Sequence, residues 1–498
     1  MQYVSTRDKN VNVKASVAIK QGISEEGGLF VPEEIPYIKL IDIKKMKDKS
    51  YIERAVFILK QYLSDFLVKE LTECASGAYD AKKFGGENPA PIKKLNDNMY
   101  ILELWHGPTC AFKDMALQIL PYFLTFAIKK TGEKKEVVIL VATSGDTGKA
   151  ALEGFKDVNG TKICVFYPSD GVSDIQKLQM ITQSGNNVNV AGIKGNFDDA
   201  QNGVKAIFTD EEVKNQIAER GYVFSSANSI NWGRLVPQIV YYFSAYCDML
   251  ATGEIELGEE INICVPTGNF GNILAAYYAK KMGLPVNKLI CASNSNNVLT
   301  NFIKTGQYNK NREFYTTVSP SMDILISSNL ERLLFDLTGG NTEKVSGWMK
   351  ELKEIGEYSV NAEVKKKIDK IFWAGCCDDY FTKERIYQIN NDYGYTVDTH
   401  TAVAIDVYNQ YVNETGDKTK TVIASTASPF KFNQSVLSAL GKDSEIDDMN
   451  DFELLDMLSD ITGENIPDGL KNLKNSEIRF NNVINKDAMI AEVMSFLK

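Results

Sequence analysis

The chain has 498 residues, and its 55 lysines and arginines against 65 aspartates and glutamates give a formal net charge of −10. This length allows about two or three domains and a large core without disulfides or metals. The acidic balance and the lack of a long basic run argue against nucleic acid as the main partner. With only two histidines, His106 and His400, a multi-histidine metal centre is excluded, and no metal site is predicted.

The cysteines and the N-terminus favour a cytoplasmic setting. The eight cysteines are scattered and never spaced as C-x-x-C, which is typical of a reduced, cytoplasmic protein. The N-terminus is polar from its start and has no apolar core of a signal peptide. The most apolar stretch, residues 115–128, is too short for a bilayer, which needs roughly 20 residues. It is predicted to be a buried helix, and no membrane partner is expected.

In chain order, a helical stretch over residues 52–67 comes before a polar, Gly- and Pro-rich segment at 82–98, which predicts the first domain boundary. Apolar, β-branched strands then alternate with helices, which is typical of parallel α/β sheets. The last 170 or so residues are more helical, with one clear strand at 420–426. The predicted domains are 1–95, 96–250 and 251–498. The predicted strands of the alternating part are Glu136–Ala142, Thr161–Pro168, 187–193, Ile261–Pro266 and 288–293.

A Gly-Asn-Phe-Gly-Asn sequence at residues 268–272 follows the predicted strand Ile261–Pro266 and opens a helix. Such a turn exposes unpaired backbone N–H groups at the positive end of a helix, which suits a phosphate group. Taken alone, it is equally well interpreted as a glycine-rich connection between strand and helix.

A second loop, Thr-Ser-Gly-Asp-Thr at residues 143–147, follows the predicted strand Glu136–Ala142. It is not an ATP-binding P-loop, because Thr143 stands where that motif needs glycine and Ala150 where it needs serine or threonine. Its hydroxyl and N–H groups suit a carboxylate. A capped helix start is the alternative interpretation.

Lys113 follows a small and an aromatic residue and precedes the apolar stretch 115–128. This position predicts partial desolvation, which lowers the pKa of an amine and favours Schiff-base chemistry. As an isolated observation, a solvated surface lysine is the default interpretation.

A Schiff-base lysine, a carboxylate-binding loop and a phosphate cradle are together what a pyridoxal phosphate enzyme requires. In this order they resemble the tryptophan-synthase-β-like (fold type II) family of such enzymes and, within it, the long-form threonine synthases. The resemblance covers essentially the whole chain and includes the segments YVSTR, GGLFVPEEIP, HGPTCAFKD, ATSGDTG, NSINWGRLVPQ, GNFGN and STASPFKF. It implies an α/β fold with two parallel-sheet domains and an additional N-terminal domain.

The resemblance also implies roles for individual residues. Lys113 would bind the cofactor, pyridoxal 5'-phosphate, covalently, and the Thr426 hydroxyl would lie against its pyridine nitrogen. The cofactor phosphate would be held by Gly268, Asn269, Phe270, Gly271 and Asn272. The substrate would be bound by Thr143, Ser144, Gly145, Asp146, Thr147, Asn231 and Arg234. For Arg234, a structural role is an equal alternative. His106 is expected behind the lysine and His400 at a helix start near the cofactor.

The implied reaction converts O-phospho-L-homoserine and water to L-threonine and phosphate, the last step of threonine biosynthesis, in a monomeric enzyme with no nucleic-acid partner. A lysine that transfers several protons fits a chain with almost no histidine. The alternatives are another fold type II enzyme that acts on serine or threonine, and a noncatalytic protein that binds a small ligand.

Overall fold

The computed structural model describes residues 1–143, 145–169 and 172–498. Their strands, in chain order, are β1 (Tyr3–Ser5), β2 (Phe30–Pro32), β3 (Ile92–Lys94), β4 (Met99–Glu103), β5 (Glu136–Ala142), β6 (Thr161–Pro168), β7 (Val188–Lys194), β8 (Tyr222–Ser225), β9 (Ile261–Pro266), β10 (Val286–Ser293), β11 (Gln307–Asn309), β12 (Glu357–Ser359), β13 (Phe372–Cys376), β14 (Thr421–Ser425) and β15 (Val483–Asn485).

The helices of the described residues are α1 (Ala15–Gln21), α2 (Leu40–Met46), α3 (Tyr51–Tyr62), α4 (Val68–Ala78), α5 (Ala81–Phe84), α6 (Asp114–Leu117), α7 (Leu120–Thr131), α8 (Asp146–Phe155), α9 (Asp174–Ile181), α10 (Phe197–Thr209), α11 (Glu211–Glu219), α12 (Trp232–Ala251), α13 (Gly271–Lys281), α14 (Val298–Thr305), α15 (Leu330–Leu337), α16 (Thr342–Glu354), α17 (Ala362–Ile371), α18 (Asp379–Tyr393), α19 (Thr399–Thr415), α20 (Asn433–Ala439), α21 (Asp443–Ile446), α22 (Asp451–Thr462), α23 (Asp468–Lys471) and α24 (Met489–Phe496). Short 3₁₀ turns lie at Pro320–Met322, Pro429–Phe432, Asn472–Asn475 and Lys486–Ala488. No helix of the described residues has both the length and the apolar character needed to cross a membrane.

The larger sheet has the strand order β13-β10-β9-β14-β4-β3. Its strands are parallel except β3, which pairs antiparallel with β4. Every residue of β9 and β14 is buried, because helices cover both faces of the sheet, as in other parallel sheets. Ligands of such sheets bind beyond the carboxyl ends of the strands.

The smaller sheet has the order β15-β7-β6-β5-β8 and is parallel throughout. Four of its strands come from the chain between β4 and β9, and the fifth comes from near the end of the chain. The small β1-β2 and β11-β12 sheets are antiparallel.

The N-terminal region packs on α12, a long apolar helix in the middle of the chain. Trp232 at the start of α12 makes edge-to-face ring contacts with Tyr3, Tyr62 and Tyr278, at centroid distances of 5.4 to 5.5 Å. Arg54 on α3 donates to the Asp248 carboxylate at 2.6 Å. The N-terminal region is therefore joined to the larger domain by a continuous aromatic core.

The predicted α/β fold with two parallel sheets is confirmed, and β5, β6 and β9 begin and end at the predicted residues. The predicted domain boundaries stay a prediction. The two sheets do not divide at residue 250, since β4 belongs to the larger sheet and β15 to the smaller one.

Candidate active site

Lys113 lies at the carboxyl end of the larger sheet, between β4 and α6. The segment before it runs beside the chain that leaves β14: Phe112 N donates to Thr426 O at 2.8 Å, and Ser428 N donates to Cys110 O at 3.1 Å. Because β4 and β14 are adjacent parallel strands, their carboxyl ends bring the segment of Lys113 beside Thr426.

The Lys113 amine is nearly enclosed and has two polar contacts. The side chain is 11% exposed, and Nζ lies 3.3 Å from Asp146 Oδ2 and 3.3 Å from Ser321 Oγ. Burial lowers the pKa of this amine, and the nearby cations Lys431 and Arg234 act in the same direction, against the attraction of Asp146. A lysine with a lowered pKa has a larger neutral fraction, which is the form that attacks a carbonyl carbon.

Asp146 begins α8 and lies between two lysines. Its Oδ1 contacts Lys431 Nζ at 2.6 Å and accepts from Gln176 Nε2 at 2.9 Å. Burial would raise the pKa of this carboxyl, but the ammonium groups of Lys113 and Lys431 hold it well below its usual range. Asp146 is therefore an ionised carboxylate whose charge is balanced by the two ammonium groups.

The backbone before Asp146 requires glycine. Gly145 has a φ of 138°, and a Cβ there would meet the Gln176 amide at 2.5 Å. The turn at Gly145 thus brings Asp146 and Gln176 together at the start of α8.

Residues 268–272 form the predicted turn between β9 and α13. Phe270 has a φ of 62° and comes directly before the first helical residue. Gly268 packs against the segment that carries Ser321, because a Cβ at Gly268 would lie 2.8 Å from Ser321 O. Since Ser321 Oγ contacts Lys113, the turn and the lysine lie on two sides of one serine.

The same turn has hydrogen-bonding capacity that the described residues do not use. The carbonyl oxygens of Gly268 and Asn269 are bound by Ser327 Oγ at 2.8 Å and Asn329 N at 3.1 Å. Asn272 Oδ1 accepts from the Tyr241 and Tyr242 hydroxyls, but its buried Nδ2 has no partner in the described part of the chain. With the N–H groups of the first turn of α13, this unpaired donor fits an anionic group such as a phosphate.

Two predicted substrate-binding residues have structural roles in this arrangement. The Thr143 hydroxyl accepts from Gly145 N and Gly148 N, both at 2.9 Å, and so stabilises its own loop. Asn231 caps α12 through Gly233 N at 2.8 Å, and its Nδ2 donates to Ile19 O and Ser226 O. Neither side chain has a polar atom left for a substrate.

Of the other predicted substrate residues, Ser144 lies outside the described residues, and Thr147 is half-buried in the first turn of α8. Arg234 is only 6% exposed and donates from Nη1 to Ala227 O at 2.9 Å. Burial lowers its pKa to about 10. Within the described ranges it forms no salt bridge, so a buried guanidinium near Lys113 has no acidic partner.

The two histidines differ in their relation to the lysine. His400 lies at the start of α19, where Nδ1 contacts the capping Asp398 Oδ1 at 2.8 Å and Nε2 accepts from Ser321 N at 3.1 Å. His106 stacks on Trp105, and its Nε2 lies 2.7 Å from Glu103 Oε2. His400, at the helix start, thus contacts Ser321, the same residue whose hydroxyl contacts Lys113.

Sequence reasoning missed three residues of this cluster: Ser321, Gln176 and Lys431. Lys431 lies inside the STASPFKF motif that points to Thr426, and a lysine between two phenylalanines is a signal of burial that could have identified it. Ser321 and Gln176 have no comparable signal, because long-range packing alone brings them to Lys113.

Three family models match consecutive parts of the chain. Residues 2–79 match "Threonine synthase N terminus", residues 85–349 match "Pyridoxal-phosphate dependent enzyme", and residues 401–494 match "Threonine synthase, C-terminal". The chain belongs to the threonine synthase family. The predicted family is confirmed, and the predicted cofactor, pyridoxal 5'-phosphate, is confirmed at the level of this family.

Relatives in this family extend over most of the chain. A Pseudomonas aeruginosa threonine synthase is 37% identical over 443 residues, which are 88% of this chain and 90% of the relative. The crystal structure of the yeast threonine synthase has a TM-score of 0.88 and 33% identity, and the match covers 99% of this chain and 98% of that one. The PLP-bound threonine synthase from Brucella melitensis has a TM-score of 0.87 and 34% identity over 100% of this chain and 98% of that one.

The human protein "Threonine synthase-like 1" is 39% identical over 470 residues, which are 91% of this chain. The chain spans only 62% of the length of that relative.

Proposed function

We propose that this chain converts O-phospho-L-homoserine and water to L-threonine and phosphate with pyridoxal 5'-phosphate as its cofactor. One observation carries the proposal. Ser321 touches both the enclosed Lys113 amine, at 3.3 Å through Oγ, and the Gly268 turn, whose added Cβ would meet Ser321 O at 2.8 Å. An amine ready for a carbonyl compound therefore lies beside a turn suited to a phosphate, which are the two ends of pyridoxal phosphate.

The residues present fit the cofactor. The backbone N–H groups of residues 268–272 and the unpaired Asn272 Nδ2 would hold its phosphate. Thr426, 7% exposed and tied to Lys113's segment, would place its hydroxyl at the pyridine nitrogen. Bound there, pyridoxal phosphate would supply a conjugated ring that takes up the electron pair left when the α-proton of an amino acid is removed.

Lys113 would hold the cofactor through Nζ and, once displaced by the substrate amine, would move protons with the same atom. Its lowered pKa makes the neutral, proton-accepting form available. Because the side chain is nearly enclosed, the amine works away from bulk water, which limits unwanted hydrolysis.

Arg234 would bind the phosphate of the substrate. A guanidinium that is buried without an acidic partner in the described residues is costly unless an anion joins it. Its positive charge acts to lower the pKa of Lys113, which supports a place for it close to that amine. The Thr143 hydroxyl is already hydrogen-bonded within its loop. Among the described loop residues, the backbone N–H groups and Thr147 would therefore bind the substrate carboxylate.

The proposal is tested by product assays and by the visible spectrum. We expect purified protein to release phosphate from O-phospho-L-homoserine and to show a visible absorption band that is lost in Lys113→Ala. Release of pyruvate from serine or 2-oxobutyrate from threonine, without phosphate release, would instead indicate a dehydratase. A colourless wild-type protein that takes up no added cofactor would point to a noncatalytic ligand-binding protein.

A further inference from the structure

Lys431 is a second lysine of the cluster, and it is more deeply buried than Lys113. It lies in the 3₁₀ turn Pro429–Phe432 after β14, and its side chain is 0% exposed. Its Nζ donates to Thr109 O at 2.9 Å and contacts Asp146 Oδ1 at 2.6 Å. A fully buried ammonium group is costly unless it is paired and hydrogen-bonded, and this one has both kinds of partner.

The carboxylate of Asp146 is shared between the two lysines, one on each oxygen. Oδ1 faces Lys431 and the Gln176 amide, whereas Oδ2 faces Lys113 and the Ser321 hydroxyl. Two cations thus surround one anion, so that one of them is in excess.

The second cation matters because Lys113 must lose its own positive charge in order to react. Both the attachment of the cofactor and the acceptance of a substrate proton need the neutral amine. If Lys113 were the only cation at Asp146, its deprotonation would leave a buried, unpaired carboxylate, and that cost would oppose the deprotonation.

Resting on the function proposed above, we propose that Lys431 is a positioning residue that keeps the Asp146 carboxylate ionised and paired, so that Lys113 can give up its ammonium proton without leaving a buried charge uncompensated. Lys431 needs no contact with substrate for this role. It acts on Lys113 through Asp146 and through its own positive charge.

The charges that face Lys113 predict the direction of the effect. They are Asp146 on α8, Lys431 after β14 and Arg234 on α12, with the uncharged Ser321 beside them. Burial and the two cations lower the pKa of Lys113, and Asp146 raises it. Replacing Lys431 by a neutral residue removes one lowering charge and leaves Asp146 to Lys113 alone, so the neutral fraction of Lys113 falls.

The test measures the rate at which the full chain, freed of cofactor, captures added pyridoxal 5'-phosphate. The visible absorption monitors the reaction, and the rate is determined at a series of pH values. In this reaction the neutral Lys113 Nζ attacks the aldehyde carbon, a C=N bond forms, and the carbonyl oxygen leaves as water with both amine protons. In Lys431→Met we expect capture at pH 7 to slow about tenfold, which corresponds to one lost charge interaction. We also expect the pH profile to move to higher pH.

Lys149→Met is the matched control. Lys149 is another buried lysine, on the same helix as Asp146, but it pairs with Glu153 and Gln183 instead of Asp146. Its capture profile should coincide with that of the wild type. Lys431→Gln is the second variant and serves as the test if Lys431→Met does not fold. Glutamine keeps a donor for Thr109 O without the charge, so this variant should show the same shift of the pH profile.

The double variant Asp146→Asn/Lys431→Met tests whether Lys431 acts on Lys113 through Asp146. Loss of Lys431 should slow capture less in this background than in the wild-type background, because the carboxylate is absent. Folded Lys431→Met or Lys431→Gln protein with a wild-type capture profile overturns the proposal. A wild type that captures no cofactor overturns the proposed function instead, so the two failures are distinguishable.

Discussion

Gly268 is predicted to strengthen cofactor binding because it allows two segments of backbone to touch. In Gly268→Ala the new Cβ would lie 2.8 Å from Ser321 O and 3.3 Å from Met322 Cα. Both neighbours are backbone atoms, so no side-chain rotation relieves the contact. Overpacking of this kind costs about 1–3 kcal/mol.

The strain acts on the segment that carries Ser321, whose hydroxyl contacts Lys113. If about 1.4 kcal/mol of it appears as lost cofactor affinity, the dissociation constant for pyridoxal phosphate rises about tenfold. The assay is a titration of the cofactor-free protein with pyridoxal phosphate, followed by absorbance, together with the melting temperature of each variant.

Gly347→Ala is the control, since Gly347 lies inside α16 and a Cβ there meets nothing within 4 Å. It should leave the cofactor affinity unchanged and stabilise the helix by about 0.5–1 kcal/mol. Unchanged affinity and unchanged melting temperature in Gly268→Ala would refute the steric reasoning.

Three further variants test the remaining assignments. Arg234→Gln should raise the KM for O-phospho-L-homoserine about 10- to 100-fold, since a charged hydrogen bond is worth about 1.5–3 kcal/mol; an unchanged KM contradicts the phosphate role. Asn231→Ala should lower stability by about 1–2 kcal/mol through the lost helix cap, measured by thermal unfolding; a raised KM with unchanged stability would restore its predicted substrate role. Burial would raise the pKa of Glu153, but Lys149, Lys156 and Gln183 lower it from 4.5 to about 2. Its stabilisation is therefore present above pH 4.5 and lost as the pH falls toward 2. Glu153→Gln should cost about 3 kcal/mol at pH 7 and progressively less in acid, and a difference independent of pH would contradict this account.

The motifs predicted the centre of the site because each is local. A strand followed by a turn and a helix places Lys113, residues 268–272 and Thr426 at the carboxyl ends of parallel strands. The partners of Lys113 were harder to predict from the sequence. Ser321, for example, lies 208 positions further along the chain. Only the packing of the whole domain determines such a contact.

Strands were predicted where they are long and uniformly apolar. Met99–Glu103 and Phe372–Cys376 were missed, although the equally short Thr421–Ser425 was predicted. The two missed strands contain one β-branched residue and none, so the β-branched composition that is typical of a strand is weak in both. The assignment of Asn231 and Thr143 to substrate binding stays a prediction, although both side chains bond to the backbone in the structure. A polar residue at a helix start satisfies backbone N–H groups as readily as it binds a ligand, and the sequence does not distinguish the two.

The strand β15 has a consequence for how the chain reaches its folded state. It pairs with β7, almost 300 residues earlier in the chain, through the register Val483 with Gly192 to Asn485 with Lys194. Until these late residues are synthesised, β7 is an open edge that can pair with another chain. The pairing is supported by α24, where Glu492 accepts from Asn189 Nδ2 at 2.9 Å. Residues 479–498 therefore cover an edge of the smaller sheet, and a chain without them is expected to self-associate through the exposed edge of β7.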